Sequence, residues 1–225
     1  MNPLLRNSAL AAVFGLTLVT FSSNPTLKAT EASKTPVAST STAGSKQMMD
    51  HSQMGGGMSS MALGPADAQY DLRFIDAMTP HHQSAVEMAQ DALKKSQRPE
   101  IKQLARNIIA DQNREINQMK QWRQAWYPKA SNTPIAYNAH MGHSMAMSQS
   151  QMQGMMMSGD LGAAGAQYDL RFIDMMIPHH QGAIVMAQDA LKKSRRPEVK
   201  RLAQSIIASQ QQEIAQMKRW RTLWY

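Results

Sequence analysis

The chain has 225 residues, a formal net charge of +8, 20 methionines and no cysteine. The missing thiols exclude disulfide stabilisation, cysteinyl metal sites and thiol catalysis, so a hydrophobic core must hold the fold. A basic balance of this size suits nucleic acid or an anionic membrane, but the start of the chain argues for export, which leaves a solvated surface as the better account.

That start, MNPLLRNSALAAVFGLTLVTF, places Arg6 before an apolar run from about Ala9 to Phe21. This is the layout of a secretory signal peptide, and the run is too short to span a bilayer comfortably. Residues 1–29 are expected to be that leader, with Ala29 or Ala32 at the cleavage site. No later apolar run is long enough for a membrane helix, so the mature protein is expected in the periplasm or secreted, with no membrane insertion and no nucleic-acid partner. Residues 30–65 follow, rich in Ser, Thr, Gly and Met, and read as a disordered linker.

The rest of the chain is dominated by a repeat. Residues 69–127 align without gaps on residues 167–225 with 42 identities. Each repeat reads as two helices. In the first, from about Ala66 to Ser96, a 100° wheel collects Phe74, Ile75, Met78, His81, His82, Ala85, Met88, Ala89, Ala92 and Leu93 on one face. Arg73, Asp76, Gln83, Ser84, Glu87, Asp91, Lys94 and Lys95 fall on the other. Pro99 and Glu100 in SQRPE open a second helix that runs to about Trp126. Its inward face is expected to hold Leu104, Ile108, Gln112, Glu115, Ile116 and Met119, with Trp122 and Trp126 packing at the open end.

Two such hairpins predict an all-α, ferritin-like four-helix bundle over residues 66–225. The link from 128 to 163 is long enough for a crossover, where an up-down bundle would need only a short turn. Like the segment before the first repeat, this link lacks helical periodicity and reads as a mobile linker.

Within the first helix lies MTPHHQSAVEMAQ, repeated ninety-eight residues later as MIPHHQGAIVMAQ. Both histidines of each pair face the apolar stripe, directly after an interior proline that frees a carbonyl one turn back. With the bend near Gln97, His81 and His82 lie level with Gln112 and Asn113, and Met78 lies level with Ile116. Each hairpin therefore aims two imidazoles, two thioethers, an amide and a carboxylate into one part of the core. In the second repeat these are Met176, His179, His180, Gln210, Glu213 and Met217. Met88 and Met186 lie about two turns nearer the bend. Thioether with imidazole selects soft cations, Cu(I) and Ag(I), over Mg²⁺, Ca²⁺ or Fe³⁺. Glu115 and Glu213 can be direct ligands or can orient a ring from outside; the sequence leaves both open.

The linkers carry twelve of the 20 methionines. Met48, Met49, His51 and Met54 fall before the first repeat, and His140, Met141, His143, Met145 and Met147 fall between the repeats. Segments this rich in glycine and serine are poor core material, and exposed methionine is an oxidation liability. A use for the sulfur is expected, namely capture of a soft ion and its transfer by ligand exchange.

The pattern D-x-x-F-I-D-x-M-x-P-H-H-Q…A…M-A followed by Q…E-I…M…W resembles a family of bacterial ferritin-like bundle proteins long labelled a domain of unknown function. The two-repeat layout, leader and Met-rich links are similar to its copper-resistance members. The resemblance implies a periplasmic or secreted, non-enzymatic protein that binds Cu(I) and Ag(I), with Cu(II) a further cargo, and protects against copper. A copper efflux system or another periplasmic copper protein would be its partner. Carried over onto this chain, the ligands are Met78, His81, His82, Met88 and Met119, with Met176, His179, His180, Met186 and Met217. The repeats differ at Glu87, which is Val185, and at Asp111, which is Ser209; neither is among these ligands.

Two other classes remain. A ferritin-like di-metal oxidase needs Glu-x-x-His on two helices, whereas Met78 and Thr79 stand three residues before the two histidines. A structural module whose polar core sets helix register leaves the linker methionines unexplained.

Overall fold

The computed structural model describes residues 61–225. The expected leader at 1–29 and the candidate ligands Met48, Met49, His51 and Met54 lie outside the described residues. Four long helices form two hairpins: α1 (Tyr70–Lys95) with α2 (Pro99–Trp126), and α4 (Tyr168–Lys193) with α5 (Pro197–Trp224). Between them come a two-stranded antiparallel sheet, β1 (Ile135–Asn138) and β2 (His143–Ala146), and a short helix, α3 (Gln149–Met156).

Each bend follows the local chemistry of its residues. Lys94 and Lys95 close α1, where positive charge suits the carbonyl end of the helix. The Ser96 hydroxyl accepts the Arg98 amide at 3.1 Å, and Pro99 starts α2 where no amide is needed. The same arrangement recurs at Ser194, Arg196 and Pro197.

The two hairpins lock head to tail through reciprocal contacts. The Tyr70 hydroxyl donates to Asp189 at 2.9 Å, and that of Tyr168 to Asp91 at 2.8 Å. Arg98 lies 4.0 Å over the Trp224 ring and Arg196 4.0 Å over Trp126, each tryptophan being stacked on its neighbour one turn earlier. The bend of each hairpin thus meets the open end of the other, and α1 runs antiparallel to α4 about a pseudo-twofold axis. The chain leaves α2 at the end remote from Tyr168. A 26-residue helix is roughly 40 Å long, so the connection must travel the length of the bundle, as the crossover reading requires.

The link itself corrects the expectation of a mobile linker. The hairpin β1–β2 turns through Gly142, whose φ of 70° suits glycine. Ser148 caps α3 reciprocally with Gln151. These elements cover part of the face of α1 that the wheel assigned to solvent, at Arg73, Asp76 and Ser84, while Gln83, Glu87 and Lys94 stay exposed. Arg73 is fully buried: its guanidinium donates to Leu63 O at 2.6 Å, to Pro65 O at 2.7 Å and to Ser144 Oγ at 2.7 Å. Asp76, 3% exposed, accepts from Arg123 Nε at 2.6 Å and from the Ile135 amide at 2.9 Å. Met61, Leu63, Met147 and Met155 join the core, so the ordered structure reaches back into the segment expected to be disordered. The repeat also extends upstream of its helices, because Arg171 donates to Leu161 O and Ala163 O as Arg73 does to Leu63 and Pro65.

Arg73→Ala strands the buried Leu63 carbonyl, frees the Pro65 carbonyl and empties a fully buried site, and should cost about 3 kcal/mol of unfolding free energy in urea titrations. Arg171→Ala, at a partly exposed site, should cost about 1 kcal/mol. Equal losses would show that the β-hairpin contact at Ser144 adds nothing to the burial of Arg73.

Candidate metal centre

The four histidines form one row across the pseudo-axis. The His81 and His179 rings sit 3.9 Å apart between centroids. Outside them, His82 lies 6.3 Å from His81 and His180 lies 6.2 Å from His179. All four are buried, with exposures of 0–1%. The antiparallel meeting of α1 and α4 produces this, since it superposes the middles of the two helices that carry the pairs. The two half-sites are therefore one continuous centre, a question the sequence left open.

The outer rings are held by carboxylates. His82 Nε2 lies 2.8 Å from Glu115 Oε2, and His180 Nε2 lies 2.7 Å from Glu213 Oε2. A neutral ring donates its Nε2 proton to such a carboxylate, which leaves the lone pair on Nδ1. Both Nδ1 atoms are buried without a partner. The glutamates thus each sit against the outer end of the row, in contact with one ring nitrogen. They also border two surface clefts between α2 and α5, of about 650 Å³ beside Glu115 and about 790 Å³ beside Glu213.

The inner rings differ from one another. His179 Nε2 lies 2.9 Å from the Ser84 hydroxyl, while neither nitrogen of His81 has a partner. The Gln112 amide is buried and unpaired at both ends, as is the Gln210 oxygen. An unpaired buried polar group costs about 1–3 kcal/mol, so several here await a partner that the protein itself does not supply. Among the described residues, no three His, Cys, Asp or Glu side chains are grouped so as to hold an ion.

Burial pushes the His81 imidazole well below its ordinary 6.5, with the neighbouring His179, His82 and His180 acting in the same direction. Burial does the same to His179, reinforced by His180 and His82. The unfolded chain takes up these protons near pH 6.5 and the folded chain only at lower pH. Stability contributed by the neutral rings is thus complete above about 6.5 and is lost as pH falls from there toward the folded values. The urea midpoint should drop between pH 7 and pH 5, and less so in a His81→Gln/His179→Gln variant. An equal drop in both would assign the effect to other groups.

All six bundle methionines expected as ligands are buried, but they regroup across the hairpins. Met78 and Met119 share an apolar cluster with Met186 of the other repeat, and Met88 shares one with Met176 and Met217. Head-to-tail packing causes this, because Met88 lies toward the bend of its own hairpin and so meets the open half of the other. Of the link residues, His140, Met141, His143 and Met145 are exposed at the β-hairpin, where His143 Nδ1 lies 3.0 Å from Met141 O. Met147 is instead buried in the first cluster.

Sequence reasoning missed Ser84, Gly182 and Met157. Ser84 was placed on the outer face, yet it is fully buried and bonded to the His81 carbonyl at 2.7 Å and to the Met156 carbonyl. The signal was present, because Ser84, two residues after one histidine pair, aligns with Gly182 after the other.

Among solved structures, the chain is similar to CopM in its Cu(II)-bound form, at 45% identity and a TM-score of 0.55 over 69% of this chain and 97% of that one. It is similar to CopM in the Cu(I)-bound form at 44% identity and a TM-score of 0.53, with the same coverage. A DUF305 fragment from Deinococcus radiodurans matches at 29% identity and a TM-score of 0.51, over 69% of this chain and 96% of that one. An uncharacterized protein of Acanthamoeba polyphaga mimivirus is 41% identical over 49 residues, 22% of this chain, and the match spans about a third (32%) of the viral protein. Among the described residues, no helix is long and apolar enough to cross a membrane. The family model described as a domain of unknown function, DUF305, matches residues 71–221, which takes in nearly all of both hairpins and both histidine pairs, and the chain belongs to that family.

Proposed function

We propose that this protein binds Cu(I) and Ag(I) outside the cytosol, sequesters or carries them without turnover, and so contributes to copper resistance. Cu(II) is a further cargo, and a copper efflux system or another periplasmic copper protein is the acceptor. The observation that carries this reading is the buried row of four histidines with unpartnered ring nitrogens, in a core that also buries the six bundle methionines. Burial keeps the inner rings neutral, and neutral imidazole is the form that donates to a metal. The Glu115 and Glu213 carboxylates hold the orientation of the outer rings. Thioether and imidazole together prefer soft monovalent ions. The CopM structures with Cu(II), Cu(I) and Ag bound support the choice of ion. The apolar run behind Arg6 supports export.

An anaerobic competition titration of Cu(I) against a chromophoric chelator tests it. The chain with His81, His82, His179 and His180 replaced by alanine should lose its tightest binding while the exposed methionines keep weaker capacity. Equal binding by both proteins would move the site to the links, and no binding by either would end the metal reading.

A further inference from the structure

The two halves of the histidine row are unequal, and the inequality traces to one position. Ser84 in the first repeat is Gly182 in the second. The Ser84 hydroxyl carries one proton and stands beside two carbonyls, those of His81 and Met156, which can only accept it. It therefore receives the Nε2 proton of His179 at 2.9 Å. That nitrogen is closed to an ion.

On the opposite side no hydroxyl exists. A Cβ placed on Gly182 would lie 3.1 Å from His81 Nε2 and 3.1 Å from Met157 Sδ, with the Met61 methyl at 3.4 Å. An imidazole nitrogen and a thioether sulfur thus converge on a single gap. The distances are shorter than the about 3.5–4.0 Å optimum for a non-bonded carbon. They exceed the about 2.0–2.3 Å bonds that imidazole nitrogen and sulfur make to a metal such as zinc. The gap is too small for a methyl group, but a small inward movement of two donors closes it on an ion. His81 is fully buried with neither ring nitrogen paired.

Met157 arrives there because it ends α3 in a left-handed conformation, φ 44°. The preceding carbonyl, that of Met156, is anchored on Ser84. The same serine thus blocks one half of the row and seats the donor of the other.

We propose that His81 Nε2 and Met157 Sδ are paired donors of a single soft-ion subsite at Gly182, which makes the row asymmetric, and that Ser84 denies His179 the equivalent site. This rests on the reading of the row as a Cu(I)/Ag(I) site. It adds a ligand from the crossover, outside the histidine pairs, and a stoichiometry of one such ion rather than two.

The test is an Ag(I) titration of the full chain labelled with ¹⁵N-histidine, following the ring nitrogens, with a chelator competition for affinity. In the wild type, Ag(I) should shift His81 Nε2 and leave His179 Nε2 in place. Met157→Leu, which keeps the bulk and removes the sulfur, should weaken the response of His81 Nε2 at least tenfold. Gly182→Ser should abolish it, because its Cβ fills the gap between the two donors and its hydroxyl stands where Ser84 stands opposite. Met157 is only partly buried, so its leucine variant keeps the test available if the change at Gly182 disturbs folding. If wild-type rings respond but both His81 and His179 shift alike, or if Met157→Leu leaves the response unchanged, the asymmetric subsite is wrong and the copper reading stands. If no ring responds in the wild type, both fall.

Discussion

Saturating Ag(I) under anaerobic conditions should raise the melting temperature by about 8–16 °C. An ion present at a thousand times its Kd, and bound only by the folded chain, stabilises by about 4 kcal/mol, and each kcal/mol moves a domain of 150–250 residues by about 2–4 °C. Much of that stabilisation would come from ring nitrogens that the fold buries without a partner. Because His81 and His179 stay neutral below their ordinary 6.5, the shift should persist at pH 5.5, where exposed imidazole is mostly protonated. Calorimetry of the chain with all four histidines replaced by alanine provides the contrast. An undiminished shift in that variant would place the stabilising ion elsewhere.

Glu115→Ala and Glu213→Ala should each lower Cu(I) affinity by roughly 10–100-fold, the usual cost of removing a partner that orients a metal-binding imidazole. The carboxylates lie 2.8 and 2.7 Å from the outer ring nitrogens, so without them the rings can turn and the Nδ1 lone pairs lose their aim. Glu115→Gln and Glu213→Gln keep an oxygen that can accept the same proton and should recover much of the loss. If glutamine proved as damaging as alanine, the carboxylates would be ligands in their own right. The comparison therefore decides between the two roles that the sequence left open.

The bundle was legible because its cause is local and repeated. A 3.6-residue apolar stripe, a Pro–Glu helix start and two lysines at a helix end are each written within one turn of chain. Counting outward from the bend put His82 level with Gln112, and its observed partner, Glu115, stands nearly one turn further along the same face of α2. The regrouping of Met88 with Met176 and Met217 was not legible, since it depends on which way one hairpin lies on the other. The wheel failed at Arg73, Asp76 and Ser84 for a related reason: it classed polar residues as solvent-facing without knowing that the crossover would return over them. Carbonyls from Leu63 and Pro65, a hydroxyl from Ser144 and an amide from Ile135 satisfy those groups, and each comes from a segment whose composition suggested no structure.

By itself, then, the sequence determined the helical pairs, the duplication and the kind of donor atom, since periodicity and side-chain chemistry belong to the residues themselves. Tertiary structure decided that the two histidine pairs form one row and that its halves are unequal. That outcome depends on distances between groups 95 residues apart, such as Ser84 and His179, and such distances exist only once the hairpins have packed head to tail and the crossover has crossed them.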